Sequence, residues 1–218
     1  MRPTIQPRRT YRSVGLVAGS LAAVLLITSC QGGGQPAIPP SATGSTTAAP
    51  PSATSTRPVP QTGAYKPADA HGKAQNVPVP VMPELAKENS REGLEAFIRY
   101  WYAQLSYGYE TGEVSGFASL SGPNCALCSS LRQGILDAWA DGRWVSGGTL
   151  KSATIETNFD GASNSQVATV QVLQKTTEIR DPDGSLFQDP TLETNSASRA
   201  TIEYSHGGWI MADLGLVR

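Results

Sequence analysis

The sequence predicts an α+β fold in which helices pack on an antiparallel sheet of about four strands. Three observations support this prediction. Apolar residues recur at helical spacing between residues 89 and 142, they alternate at strand spacing after residue 149, and turn-forming segments separate the alternating stretches. Because the helical stretches precede the strands along the chain, the two kinds of element are expected to form separate layers.

The first predicted helix is amphipathic. Asn89 and Glu92 have the N-x-x-E spacing of a capping-box variant, which is typical of a helix start. The apolar residues that follow lie within about 80° of one another on a helical wheel. One face of this helix is therefore expected to be buried, and it consists of Leu94, Phe97, Ile98, Trp101 and Leu105.

Two more helices are predicted before the strands. Residues 113–122 (EVSGFASLSG) indicate a short second helix. A third helix is expected to begin near Asn124, a favoured N-cap residue, and to end at Gly142. The expected apolar face of the third helix consists of Leu127, Leu131, Ile135, Ala138 and Trp139.

Four alternating stretches predict the strands, at residues 149–159, 167–174, 197–204 and 209–217. Turns are expected at residues 180–185 (RDPDGS) and 205–208 (SHGG), because proline presets φ and glycine accepts positive φ. The side chains expected on the core face of the first three strands are Ala153, Ile155 and Phe159, then Ala168, Val170 and Val172, and then Ala200, Ile202 and Tyr204.

The N-terminal segment is typical of an export signal. Residues 1–13 are basic, residues 14–27 are apolar, and small residues follow directly before Cys30. A membrane-spanning helix needs about 20 apolar residues, so an uncleaved anchor is the less favoured interpretation. Residues 27–30 (ITSC) resemble the lipobox of bacterial lipoproteins. That resemblance implies that residues 1–29 are removed and that the Cys30 sulfur carries a diacylglycerol, which would place the protein on the outer, extracytoplasmic face of the cell membrane.

The chain has 3 cysteines, an odd number for an exported protein. If Cys30 carries lipid, Cys125 and Cys128 remain as a pair, and an oxidising exterior favours a disulfide between them. The pair is also expected near a helix N-terminus, where the pKa of a thiol falls, so a redox role is an alternative to a structural one.

Residues 31–80 differ in composition from the rest of the chain. They contain no Leu, Phe, Trp or Met and are rich in Pro, Ala, Ser and Thr, so residues 30–81 are expected to form a lipidated, disordered tether. Residues 82–218 are expected to form a single domain. That domain has 10 Lys and Arg against 17 Asp and Glu, a net charge of −7, which argues against nucleic acid or an anionic membrane surface as partners.

Several stretches resemble known families. The aromatic first helix and residues 206–214 (HGGWIMADL) are similar to the nuclear-transport-factor-2-like (SnoaL-like) cone fold, and this resemblance implies a curved sheet. Residues 78–90, 97–113, 125–128 and 142–148 resemble an uncharacterised family of actinobacterial lipoproteins, domain of unknown function 6318. The second resemblance implies an envelope lipoprotein without an assigned activity. The sequence departs from the cone pattern because no strand is predicted between the second and third helices.

No cofactor or metal site is predicted, because one CxxC supplies only two ligands and no phosphate-binding motif occurs. Three residues of the first helix could take part in acid–base chemistry. Glu95, Tyr102 and Tyr109 are spaced by seven at the edge of the first helix's apolar stripe, where they could line a cavity and exchange protons. The simpler interpretation is that the tyrosines are partly buried and that Glu95 is solvated.

These observations favour a non-enzymatic envelope lipoprotein, a membrane-tethered binding or accessory domain whose partner is a small apolar ligand or another envelope protein. Two alternatives stay open. One is a SnoaL-like enzyme acting on a small apolar molecule, and the other is a thiol–disulfide protein. The oligomeric state is not predicted.

We predict that Cys30 is the site of lipid attachment. Expressed in a bacterium that processes lipoproteins, the protein should partition into detergent, and its mass should correspond to a chain that starts at Cys30 plus lipid. The Cys30→Ser variant should lose membrane association. If this variant is cleaved at the same bond and stays equally membrane-bound, the lipobox interpretation is wrong.

Overall fold

The computed structural model describes residues 63–217, so the predicted signal, Cys30 and most of the predicted tether lie outside the described residues. The helical elements are α1 (Arg91–Thr111), α2 (Ser115–Ser119) and α3 (Ala126–Ala138), with short 3-10 helices at Glu84–Lys87 and Ala140–Gly142. The strands are β1 (Trp144–Gly147), β2 (Leu150–Thr157), β3 (Ser165–Gln174), β4 (Thr177–Arg180), β5 (Thr194–Ser205) and β6 (Gly208–Leu216). Within residues 63–217, no helix combines the length and apolarity that crossing a membrane requires.

The larger sheet confirms the predicted fold class. Its strands follow the order β2-β3-β5-β6, and every neighbouring pair is antiparallel. The strands β1 and β4 form a second, two-stranded antiparallel sheet that the sequence did not predict. Each of these two strands has four residues, which is too few for an alternating pattern to stand out.

The core lies between α1 and the inner face of the larger sheet. All five apolar residues predicted for the buried face of α1 are at most 2% exposed. The inward residues of β3 and β5 were also predicted correctly, since Ala168, Val170, Ala200 and Ile202 are at most 1% exposed. Burial of these apolar side chains is the main contribution to the stability of the domain.

Two helix starts differ by one residue from the sequence prediction. The N-cap of α1 is Ser90, whose Oγ accepts a hydrogen bond from the Gly93 amide at 3.0 Å, and not Asn89. The N-cap of α3 is Cys125, and not Asn124. In both cases the next residue along the chain has the extended backbone that an N-cap requires, which residue preference alone does not reveal.

The third helix is less buried than predicted. Ile135 and Ala138 are buried, but Leu127, Leu131 and Trp139 are only partly buried against the core. The reason is that α3 contacts β6 and α2 along a narrow stripe of its surface.

The two edge strands of the larger sheet have partners for their outer backbone groups. At β6, the Gly122 amide donates to Met211 O and the Met211 amide donates to Leu120 O, so the segment between α2 and α3 makes a short parallel bridge where no strand was predicted. At β2 the partners are side chains of α1. These contacts join Arg91 Nη1 to Thr157 O (2.6 Å), Arg99 Nη1 to Ser152 O (3.2 Å) and Leu150 N to Ser106 Oγ (3.0 Å).

Residues 63–81, here called the N-terminal arm, lie against the domain. The arm begins with a hairpin in which Lys66 and Gln75 exchange backbone hydrogen bonds at 3.0 and 2.9 Å. The hairpin accepts a bond from the Trp144 indole, whose Nε1 lies 3.0 Å from Asp69 O. Val77 is 8% exposed, so the arm also contributes a side chain to the buried surface.

The arm precedes Met82, where the sequence predicted the start of the domain. The folded part therefore includes residues 63–81, which the composition assigned to the disordered tether. One reason is that the arm binds in part through backbone carbonyls, as at Asp69 and Pro80, and composition does not report such contacts. The remaining tether, residues 30–62, stays a prediction.

We predict that removing the arm destabilises the domain. A chain that starts at Met82 should unfold with a free energy lower by about 2 kcal/mol or more than a chain that starts at Gly63, because Trp144 and the site of Val77 become exposed. Urea denaturation of the two chains measures the difference.

The Trp144→Phe variant provides the control. In that background the same truncation should cost about 1 kcal/mol less, because the bond to Asp69 is already missing. Equal unfolding midpoints for the two chains would show that the domain begins at Met82, as the sequence predicted.

Candidate functional site

Tyr102 lies in the core on the sheet side of α1. Its side chain is 3% exposed, and its ring contacts Trp101 edge-on with 5.0 Å between ring centroids. The hydroxyl is directed toward Ser198 of β5, but it makes no hydrogen bond of normal geometry. Burial raises the pKa of Tyr102 above its usual value of 10.0, so the phenol is neutral near pH 7.

Tyr109 lies two turns further along α1 and is partly buried against the core. Its hydroxyl is directed toward Gln174 at the end of β3. Burial raises the pKa of Tyr109 above 10.0 as well, and the contact with Gln174 partly offsets this effect. Both tyrosines can therefore donate a proton in a hydrogen bond, but neither is a base near neutral pH.

Glu95 is not in the core with Tyr102. Its side chain is 32% exposed and pairs with Arg99 one turn later, with Oε2 to Nη2 at 3.7 Å. The space between α1 and the sheet is occupied by core side chains such as Phe97, Val170 and Ile202. The structure thus brings the two tyrosines to the sheet side of α1 and leaves the carboxylate on the outer surface, where the simpler interpretation expected it.

Glu95 instead lines a groove on the outer side of α1, here called the α1 groove. It has a volume of about 610 Å³, and its apolar lining includes Pro80, Val81, Leu85, Ala96, Tyr100 and Ala103. Glu92, Glu95 and Arg99 add charges to this lining. Gln104 holds the groove together, because its Nε2 donates both to Pro80 O at 3.2 Å and to the Tyr100 hydroxyl at 2.7 Å.

No sequence pattern directly indicates this groove. The small residues Ala96 and Ala103 on the polar side of α1 were one available signal, because two alanines there leave room for another segment. The other signal was the run of alternating prolines and valines at residues 78–81, which favours an extended backbone that can lie along a helix.

Cys125 and Cys128 form a disulfide with 5.3 Å between their Cα atoms. Both residues are buried, at 0% and 3% exposure. Cys125 Sγ also accepts a hydrogen bond from the Cys128 amide at 3.2 Å, so the disulfide caps the N-terminus of α3. The bond therefore fixes the turn through which the chain passes from the β6 edge into α3.

Cys128 is the more accessible of the two sulfur-bearing residues, because it contributes to a small groove of about 330 Å³ that also contains Ser121 and Arg132. A thiol that attacks the disulfide would reach Cys128 first. With 3% of Cys128 exposed, however, the geometry favours the structural role over thiol exchange.

A larger groove of about 770 Å³ lies beside the ends of β2 and β3 and is polar. It contains Arg91 and Arg199 together with Glu156 and Asp160, so its formal charges balance. Gln166 is 2% exposed and orders the adjoining loop, because it accepts from the Asp160 amide and donates to two loop carbonyls.

Neither histidine suits catalysis. His71 lies in the arm hairpin and His206 in the β5–β6 turn with φ of 52°, and both side chains are exposed. Across residues 63–217, no three His, Cys, Asp or Glu side chains are grouped so that they could hold a metal ion.

Three solved structures resemble parts of this chain. The intermembrane space region of chloroplast protein ARC6 has 8% identity and a TM-score of 0.42, over 59% of this chain and 96% of that one. A domain of unknown function with a cystatin-like fold from Nostoc punctiforme PCC 73102 has 17% identity and a TM-score of 0.34, over 59% and 79%. A putative calcium/calmodulin dependent protein kinase II association domain from Xanthomonas campestris has 14% identity and a TM-score of 0.32, over 64% and 96%.

TM-scores below 0.5 do not establish a shared fold. No curated protein matches the sequence. A family model does match: that of the family of unknown function DUF6318, over residues 63–215. The matched range starts with the N-terminal arm, includes α1 and the disulfide, and ends in β6. Since it spans more than half of the sequence, the chain belongs to the family of unknown function DUF6318.

Proposed function

We propose that this protein is a lipid-anchored protein of the cell envelope and that its folded part is a non-enzymatic binding or accessory domain on the outer face of the membrane. The observation that carries this proposal is the buried disulfide between Cys125 and Cys128. Disulfides form and persist mainly in oxidising compartments, which is where export through the N-terminal signal would deliver the domain.

The lipid on Cys30 would supply the attachment to the membrane. A single acyl chain binds a membrane only weakly, whereas a diacylglyceryl group brings two chains. The folded part has 11 Lys and Arg against 18 Asp and Glu in residues 63–217, a net charge of −7, so electrostatic attraction to anionic lipids would add little.

The arrangement around α1 supports binding over acid–base catalysis. Tyr102 and Tyr109 have raised pKa values, and the carboxylate of Glu95 lies on the outer surface in an ion pair. Proton transfer by a side chain requires an acid and a base that both reach one substrate atom. The α1 groove, with its apolar floor and charged lining, is better suited to bind an extended peptide segment than to carry out catalysis.

We predict that the folded part is exposed on the outer surface of cells that process lipoproteins. Leu192 is 75% exposed, so the Leu192→Cys variant presents a thiol to solvent. A membrane-impermeant maleimide should label this variant in intact cells as completely as in lysed cells.

The unsubstituted chain is the matched control. It should remain unlabelled, even when denatured without reductant, because Cys125 and Cys128 are bonded to each other and Cys30 carries lipid. Labelling of Leu192→Cys only after lysis would contradict the location. Labelling of the denatured unsubstituted chain without reductant would contradict the disulfide or the lipid.

One observation favours a second candidate function, a SnoaL-like enzyme acting on a small apolar molecule. The Tyr102 hydroxyl is buried and makes no hydrogen bond of normal geometry with any residue of the range 63–217, and a hydroxyl beside Ser198 could donate to a bound ligand. A thiol–disulfide function has weaker support, because both cysteines are almost completely buried.

The Tyr102→Phe substitution tests the state of this hydroxyl. Because the group lacks a partner, its removal should leave the free energy of unfolding unchanged or raise it by up to about 1 kcal/mol. The Ser198→Ala variant, which removes the neighbouring hydroxyl, should behave in the same way in urea denaturation. A loss of more than 1 kcal/mol in Tyr102→Phe would show that the hydroxyl is satisfied, and the support for the second candidate would disappear.

A further inference from the structure

We propose that the α1 groove is the docking site for residues 57–62 of the same chain (RPVPQT), which directly precede the N-terminal arm. The groove would then hold the last part of the tether against the outer side of α1. This inference concerns the tether and the folded part alone, so it does not depend on the lipid at Cys30 or on the cellular location.

The arm directs the preceding chain toward the groove. In the arm hairpin the two backbones are antiparallel, with Lys66 opposite Gln75. Gly63 lies against the Asn76 side chain, whose Nδ2 donates to Ala64 O at 3.1 Å. A segment that continued antiparallel to the chain after Asn76 would run beside Pro80 and Val81, which form one wall of the groove.

The length of the segment matches the length of the groove. The Tyr65 hydroxyl bonds to Glu110 near the end of α1 at 3.0 Å, which fixes one end of the path. From Glu110 back to Glu95 the helix spans about 22 Å, at about 1.5 Å per residue. Extended chain covers up to about 26 Å from Tyr65 back to Arg57, at about 3.3 Å per residue. The backbone of Arg57 can thus reach the level of Glu95, and its long side chain would extend to Glu92, about 4.5 Å further along the helix.

The apolar part of the segment suits the apolar lining of the groove. Val81 is 81% exposed and Leu85 is 43% exposed, so covering them removes apolar surface from water. Pro58 and Pro60 have no amide hydrogen, so they bring no donor that the groove would leave unsatisfied. Prolines also keep the chain extended before it binds, which lowers the entropic cost of docking.

Charge fixes the direction of the segment. Arg57 is the one charged residue between residues 13 and 65. At the far end of the groove, Glu95 is already paired with Arg99, whereas Glu92 has no ion pair with any residue of the described range 63–217. A segment that runs from Gly63 toward the start of α1 would bring Arg57 to Glu92, where a partly covered ion pair can form.

Methyl NMR spectra of the soluble mature chain test this docking, with Cys30 replaced by Ser to prevent lipidation. Deleting residues 56–61 should shift the methyl signals of Ala96 and Ala103, which lie in the floor of the groove. The matched control is deletion of residues 46–51, which also removes six residues of the tether and should leave both signals unchanged.

A charge exchange tests the orientation. Arg57→Glu alone should move the two alanine signals toward the positions seen after deletion of residues 56–61, and Arg57→Glu combined with Glu92→Arg should restore them. Unchanged signals after that deletion would overturn the proposal. Signals that depend on protein concentration would also overturn it, because a second copy of the chain would then occupy the groove. Failure of the double variant to restore the signals would overturn the pairing of Arg57 with Glu92.

Discussion

Trp101 connects the helices to the sheet, and the packing of the described fold depends on it. Its indole is completely buried, contacts Tyr102 and Phe117 edge-on, and donates from Nε1 to Ser121 Oγ at 2.9 Å. Ser121 in turn donates to Phe117 O at 2.7 Å and belongs to the segment bridged to β6. One side chain of α1 thereby sets the position of α2, of the turn into α3 and of the sheet edge. A polar bond inside an apolar cluster gives this contact a defined geometry in addition to its buried area.

The sequence predicted the parts of the fold that repeat. The buried face of α1 and the inward residues of β3 and β5 follow from spacing alone, because each has several residues on one regular period. The prediction failed where a strand is short and where a contact is made by backbone atoms. The strands β1 and β4 have four residues each, and the N-terminal arm binds Trp144 through a carbonyl that every residue possesses. Neither feature changes the periodicity or the composition from which the prediction was made.

The candidate site was predictable to a similar extent. Spacing by seven correctly placed Tyr102 and Tyr109 on one side of α1, but a helix position at the edge of an apolar stripe can turn inward or outward. Tyrosine buries its ring at little cost, whereas a carboxylate without a buried partner stays in water, and Glu95 accordingly pairs with Arg99 on the surface. The α1 groove could not be predicted, because it is formed by two segments whose contact depends on the arm. No sequence pattern indicates the hydrogen bond that Gln104 Nε2 donates to Pro80 O.

The contacts between α1 and the edge strand β2 affect how readily neighbouring molecules associate through their sheets. An exposed strand edge offers a row of free amides and carbonyls to which a second molecule can add a strand. Here Arg91, Arg99 and Ser106 occupy three of these groups on β2, and the Ser121 bridge occupies the opposite edge of the sheet. Both routes to edge-to-edge polymerisation are thereby obstructed. On the proposal that a lipid on Cys30 confines this protein to a membrane surface, its copies would meet far more often than in dilute solution, and such protection would allow dense coverage without fibre growth.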